Sequence, residues 1–427
     1  MRKNDFMQKK WFRLDTAALI FPAIARRNWC NVFRLSAGLT EPVDSAILQE
    51  AVNELKPRFP SFFVTLKQGF FWCYLEESRK EVQVREDYAY PLTFMSRREF
   101  KENCLRVLYY KNRVAVEFFH ALSDGRGGSV FLVNLLARYL ELKYGIDIPK
   151  TGVIRDLSEP IRMTEIEDSF LKHAAPAASG RKERIAFRLK GTRETDGFKH
   201  LITGIVDTET LLNAAHRYRV SVTAFLAGVM AESIIGIQDE KKRQKKQKPV
   251  KITIPVDLRR LYDSETLRNF SLVINVGVEP RYGRYTLEEI CRSISHQIGF
   301  MATPQQMAGM VAANVQPQRL LPLRLAPLEI KHLVMDLVYR QSGEKSGCLN
   351  ISNLSRIEVP EAMQPYLTRA EFIIGPQRSY PNNCSVASFG GKTYINMIRN
   401  IRETELERRF FSRLVELGIT VEIESND

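Results

Sequence analysis

The chain has 427 residues, of which 44% are hydrophobic and 26% charged, an ordinary globular composition with length for two domains. With 63 Lys and Arg against 49 Asp and Glu the net charge is +14, which suits an anionic partner such as nucleic acid, a membrane surface or a phosphate-bearing cofactor. Its six cysteines, Cys30, Cys73, Cys104, Cys291, Cys348 and Cys384, show no CxxC or CxH spacing. That excludes a zinc or redox motif and is the usage of reduced, buried thiols in a cytoplasmic protein.

The first twelve residues are polar and basic (Arg2, Lys3, Lys9, Lys10), and the apolar run Ala17–Ala25 is short, holds Pro22 and follows Asp15. This is not the layout of a signal peptide. Ile47, Leu48, Ala51, Val52 and Leu55 recur at helical spacing after Asp44 or Ser45 as N-cap, and Pro57 and Pro60 end that helix. Residues 62–66 and 70–75 predict a hairpin around Lys67-Gln68-Gly69. Residues 105–110 and 113–119 predict a second, turning at Lys111-Asn112, so that His120 ends a strand. A helix follows at about residues 128–143.

From 149 to 182 the periodicity fades among Pro149, Pro160 and Pro176, which predicts a crossover linker between a first domain, 1–180, and a second, 181–427. In the second half, 202–206, 250–256, 270–278 and 349–354 read as strands. Thr208 caps a helix through Tyr218, and Thr223 begins another through Ile237. That last stretch is the nearest approach to a membrane span, but Glu232 sits inside it. Residues 287–298 hold a further helix, 385–389 and 393–398 form a hairpin about Gly390-Gly391, and 403–417 form a final helix. Strands and hairpins interspersed with helices predict a mixed-sheet α/β sandwich. With no GxGxxG opening a helix after a strand, a parallel dinucleotide fold is disfavoured. The charged run from Lys241 to Lys248 is a solvated loop or an attractor for phosphate-rich CoA or an acidic carrier protein. It lacks interleaved aromatics, which argues against nucleic acid.

The most informative stretch is His120-Ala121-Leu122-Ser123-Asp124-Gly125. An imidazole at a strand end, with an ordinary pKa near 6.5, suits general-base work. Asp124 can accept backbone N–H bonds or pair with a distant arginine, and Gly125 permits a backbone conformation closed to other residues. There is no Gly-x-Ser-x-Gly elbow to supply a serine nucleophile. A base without a resident nucleophile implies that the substrate brings its own.

The stretch resembles the HxxxDG signature of the chloramphenicol acetyltransferase-like superfamily of CoA-dependent acyltransferases, which includes alcohol acetyltransferases and the condensation domains of nonribosomal peptide synthetases. Three further stretches agree in order: Pro255-Val256-Asp257-Leu258-Arg259-Arg260-Leu261 with Asn269-Phe270, then Ile351-Ser352-Asn353-Leu354, then Ser385 to Lys392. The resemblance spans the chain and is closest to alcohol acetyltransferase-like proteins. It departs at Phe119, where many relatives carry a second histidine, and at Phe389-Gly390-Gly391, which keeps little of the closing motif of plant relatives.

What the resemblance implies is two similar α/β domains meeting at a channel, with no permanent cofactor. A CoA thioester, or an acyl carrier protein, enters as donor and a small alcohol or amine as acceptor. His120 is the general base, and Asp124 and Gly125 shape the turn. Arg259 is the candidate partner of Asp124, since an unpaired buried carboxylate is costly; the alternative leaves Arg259 on a solvated loop. Ser352 and Asn353 either contact the developing oxyanion or a substrate, or simply end a strand. No metal is implied. The rival readings are a free-standing condensation enzyme that forms an amide, and a non-catalytic relative that binds acyl groups or a carrier protein.

Overall fold

The computed structural model describes residues 11–25, 31–176, 183–241, 246–339, 345–377 and 379–426. Cys30, the basic N-terminal residues 1–10, Gly180-Arg181-Lys182 and the middle of the lysine run (242–245) lie outside them. The described strands of the first half are β1 (Trp11–Arg13), β2 (Val32–Leu39), β3 (Val64–Gln68), β4 (Cys73–Glu77), β5 (Val84–Glu86), β6 (Leu105–Tyr110) and β7 (Arg113–Phe119). Those of the second are β8 (His200–Asp207), β9 (Val250–Asp257), β10 (Ser271–Val278), β11 (Leu349–Arg356), β12 (Leu367–Ile374), β13 (Asn382–Phe389), β14 (Lys392–Arg399) and β15 (Val421–Ser425).

They form three sheets, ordered β12-β2-β7-β6-β5, β10-β9-β11-β13-β14-β8-β15 and β1-β4-β3. The two large sheets are mixed: β5 runs parallel to β6, and β11 runs parallel to both β9 and β13. The predicted α/β sandwich is therefore present, one large sheet to each lobe. One strand departs from a division at about residue 180. β12 comes from the second half but pairs antiparallel with β2 along its length.

The β6–β7 hairpin has the predicted register, Tyr110 opposite Arg113, and Lys111 takes the positive φ that closes its turn. The β3–β4 hairpin is displaced from its predicted position by two or three residues, with Gln68 opposite Cys73 and the Gly69 N–H donating to the Trp72 carbonyl. Thr208 does not cap its helix. The Asp207 carboxylate does, accepting from the Thr210 N–H at 2.8 Å, because a carboxylate reaches the third N–H from one residue earlier.

Helix Gly125–Tyr144 lies on the first sheet beside helix Ser45–Leu55, whose N-cap is Asp44 as predicted. Phe118, Phe131, Leu135 and Leu136 are among the side chains that fill that core. Helices Val222–Lys241, Leu287–Met301 and Glu405–Glu416 cover the second sheet. Val222–Lys241 has the length and hydropathy of a membrane span, yet most of it is buried in the lobe, where Gly228 abuts Cys291. The crossover segment braces the seam between the lobes. Its Glu165 is buried against Arg58 at 2.8 and 3.0 Å, while the Glu165 carbonyl accepts from the Leu267 N–H at 2.7 Å. The five described cysteines are free and buried.

Candidate active site

His120 follows β7 directly and sits where the two lobes meet. Its N–H donates to the Asn31 carbonyl at 2.8 Å, and its ring stacks on Phe21 with centroids 4.5 Å apart and lies edge-on to Phe33 at 5.2 Å. Phe119 points into the first core instead, against Phe100. Phe119 thus contributes packing on the far side of the strand.

Asn269, which leads into β10, fixes the chemistry of the imidazole. Its Nδ2 donates to the His120 carbonyl at 3.0 Å and to the Asp15 carboxylate at 3.1 Å. With both amide hydrogens placed, Asn269 Oδ1 faces His120 Nδ1 at 3.0 Å as an acceptor. Nδ1 must then carry the proton, which leaves the lone pair of the neutral ring on Nε2. Burial pushes the His120 pKa below 6.5 against the opposing pull of Asp124 and Asn269, so the ring is neutral at physiological pH.

Asp124 caps the helix that begins at Gly125, accepting from the Gly127 N–H at 3.1 Å. It also accepts from the Phe270 N–H at 2.9 Å and from both terminal nitrogens of Arg259, at 2.9 and 3.0 Å. Burial alone would raise this carboxyl, but Arg259 together with the Phe270 and Gly127 N–H donors outweighs it and holds the pKa below the usual carboxylate range. Arg259 uses every donor of its guanidinium. Besides Asp124, it meets Asp257 Oδ1 at 3.0 Å, the Thr266 carbonyl at 2.7 Å and the Arg268 carbonyl. The pairing expected from sequence is thus present, and it stitches the start of the first lobe's long helix to the strand ends of the second. Ser123 adds a hydrogen bond across the same seam, to the Leu267 carbonyl at 2.5 Å.

The requirement for glycine after Asp124 is spatial, which corrects the expectation of a special backbone angle. Gly125 is the first helical residue and is not among the positive-φ glycines. A Cβ there would come within 2.8 Å of the Leu354 side chain and 3.2 Å of Phe372. At Gly127 a Cβ would lie 2.1 Å from the Leu267 carbonyl oxygen and 2.2 Å from Ser123 Oγ, so nothing larger fits.

Ser352 and Asn353 stand in β11, beside Ser385 and Val386 of β13. Among the described residues neither is hydrogen-bonded to His120. Asn353 donates to Thr223 Oγ1 at 3.0 Å and accepts from the Ser355 N–H at 2.7 Å. β11 reaches the site through Leu354, the neighbour of Gly125.

Sequence reasoning missed Asp15. It is fully buried, and burial pushes its carboxyl up to about 6 despite the Arg268 guanidinium 3.6 Å away. Its chain position gives no sign of this, because its partner Asn269 lies 254 residues distant.

No protein-family model matches the chain, and no curated protein matches it in sequence. Solved structures do match over almost the full length. Against F. graminearum TRI101 complexed with coenzyme A and deoxynivalenol the TM-score is 0.65 at 9% identity, covering 96% of this chain and 99% of that one. The chain has the chloramphenicol acetyltransferase-like fold. The trichothecene 15-O-acetyltransferase TRI3 from Fusarium sporotrichioides gives 0.60 at 12% identity, with coverages of 96% and 97%. The starter condensation domain of rhizomide synthetase, in complex with C8-CoA and Leu-SNAC, gives 0.60 at 11%, with coverages of 98% and 96%. This architecture sets the His120 loop of the first lobe against the Arg259–Phe270 segment of the second.

Proposed function

We propose that the chain transfers an acyl group from a CoA or carrier-protein thioester to an alcohol, with His120 as general base. The observation that carries this reading is the Asn269 amide, which holds Nδ1–H and so reserves Nε2 for a substrate proton. The acceptor hydroxyl gives its proton to Nε2 while its oxygen attacks the thioester carbonyl. When the tetrahedral intermediate collapses, the C–S bond breaks and the imidazolium returns the proton to the leaving thiolate. The products are an ester and a free thiol, and no acyl-enzyme forms. Ser352 and Asn353 are assigned to the oxyanion or to a substrate, approached along β11. An amine acceptor is the second reading, favoured by the likeness to a condensation domain crystallised with C8-CoA and Leu-SNAC.

The test is release of free thiol from acyl-CoA in the presence of a panel of alcohols and amines, by the parent and by His120→Ala. Thiol release that depends on an acceptor and falls about 100-fold or more in the variant supports the proposal. Equal release by the two proteins refutes it.

A further inference from the structure

Two consecutive helices, Leu321–Leu325 and Leu328–Val338, present an apolar face that the fold leaves uncovered. Leu321 is 63% exposed and Leu333 71%, and Leu325, Ile330 and Leu337 stand out beside them. The face continues onto the β3–β4 hairpin. The Leu328 N–H donates to the Phe70 carbonyl at 2.9 Å, and Lys331 Nζ donates to the Phe71 carbonyl at 2.7 Å. Phe70 is 70% exposed, and the Trp72 and Trp11 rings are open to solvent close by. An apolar surface this large on a single chain marks an interaction site.

We infer that this face docks the protein on an anionic lipid bilayer. Three observations choose that occupant. Cations border the leucines: Arg319 and Arg324 are exposed, Lys331 lies 5.2 Å from the Trp72 ring centroid, and Arg13 lies over the same ring at 5.8 Å. Between residues 319 and 338 the one exposed carboxylate is Glu329, since Asp336 is buried, and on the hairpin Glu76 and Glu77 are paired with Lys67 and Lys56 at 3.4 and 3.9 Å. The chain's charge of +14 acts in the same direction at longer range. Aliphatic side chains with indoles and cations at their margin match the boundary between acyl chains and headgroups. The face is also continuous with the candidate site. Helix Leu328–Val338 packs on helix Ile20–Ile24, whose Phe21 stacks on His120. If the acyl-transfer reading holds, on which this one step rests, a lipid alcohol or long acyl chain reaches His120 from the bilayer along that side.

The test uses the full chain and needs no turnover, so it stands apart from the acyl-transfer assay. The protein is sedimented with vesicles of phosphatidylcholine alone and of phosphatidylcholine with phosphatidylglycerol, at low and high salt, and tryptophan emission is followed. The parent should bind the anionic vesicles, shift its emission to shorter wavelength and release as salt rises. Leu333→Glu/Leu337→Glu should bind about 100-fold more weakly, with unchanged circular dichroism because both side chains are exposed. The inference is overturned if the parent stays in the supernatant, if it binds both vesicle types equally, or if the double variant binds as the parent does. It is equally overturned if the parent is a dimer that ignores vesicles and that the double variant splits, since a second copy would then cover the face.

Discussion

Arg259→Ala tests the seam between the lobes most directly. The substitution removes two charge-assisted hydrogen bonds from Asp124, whose side chain is 7% exposed and keeps the Phe270 and Gly127 N–H donors. Stripping one partner from a buried ion pair costs about 3–5 kcal/mol. The Thr266 and Arg268 carbonyls lose their donor as well, which adds about 1 kcal/mol. The expected loss, about 4–6 kcal/mol, is a large part of the ~5–15 kcal/mol that keeps a domain folded. Asp124→Ala/Arg259→Ala leaves no stranded charge, so its cost should fall short of the summed single costs by at least about 1.5 kcal/mol.

The pH dependence follows from the Asp124 carboxyl, which Arg259 together with the Phe270 and Gly127 N–H donors holds below its usual range. In the parent this stabilisation is complete above the unfolded pKa of about 3.9 and is lost as pH falls through the lower folded value. Without Arg259, burial dominates and the carboxyl pKa rises. The variant's deficit is then largest at neutral pH and shrinks in acid as the stranded carboxylate takes up a proton. Urea unfolding followed by circular dichroism at about pH 7.5 and about pH 5 measures both effects. A deficit under about 1 kcal/mol, strict additivity with Asp124→Ala, or a gap that widens in acid would refute the reasoning.

In the parent, the acid limb of kcat/KM for thioester cleavage should lie below pH 6.5, because burial lowers the His120 pKa and the neutral ring is the working form; a limb above it contradicts the assignment. Asn269→Ala removes the acceptor that holds Nδ1–H and raises the His120 pKa. Transfer should fall about tenfold or more while the acid limb moves to lower pH, and a purely structural role would leave that limb unmoved. Gly127→Ala drives a methyl group into the Leu267 carbonyl and should cost about 3 kcal/mol or more in urea unfolding. Gly125→Ala should cost less, since there the listening neighbours are the side chains of Leu354 and Phe372.

The local part of the site was legible in the sequence. The near-continuous apolar run through 114–119, broken only by Glu117, sets β7, whereas the helix expected from about residue 128 starts three residues earlier, at Gly125, because Asp124 caps it before its apolar stripe begins. Arg259 was found only through resemblance, since nothing near Asp257 reveals a carboxylate 135 residues back in the chain. Asp15 and Phe21 escaped for the same physical reason, and Asn269, though part of the resembling stretch, carried no sign that it would meet His120. Each acts through a contact made by the folded lobes, and hydrophobic period carries no record of such contacts. Helices Leu321–Leu325 and Leu328–Val338 left no clean stripe because their leucines face outward as well as inward. β12 was missed because what makes it a strand is its pairing with β2.

That pairing bears on how the protein is made. β2 leaves the ribosome with its outer edge unmatched, and the strand that covers it is complete only when residue 374 has been synthesised. At roughly 5–20 residues per second the edge stays open for tens of seconds. During that time its N–H and C=O groups can pair with any extended segment, including that of a neighbouring nascent chain. A fragment that stops at the end of the crossover segment keeps this edge open for good, so it should aggregate where the whole chain does not.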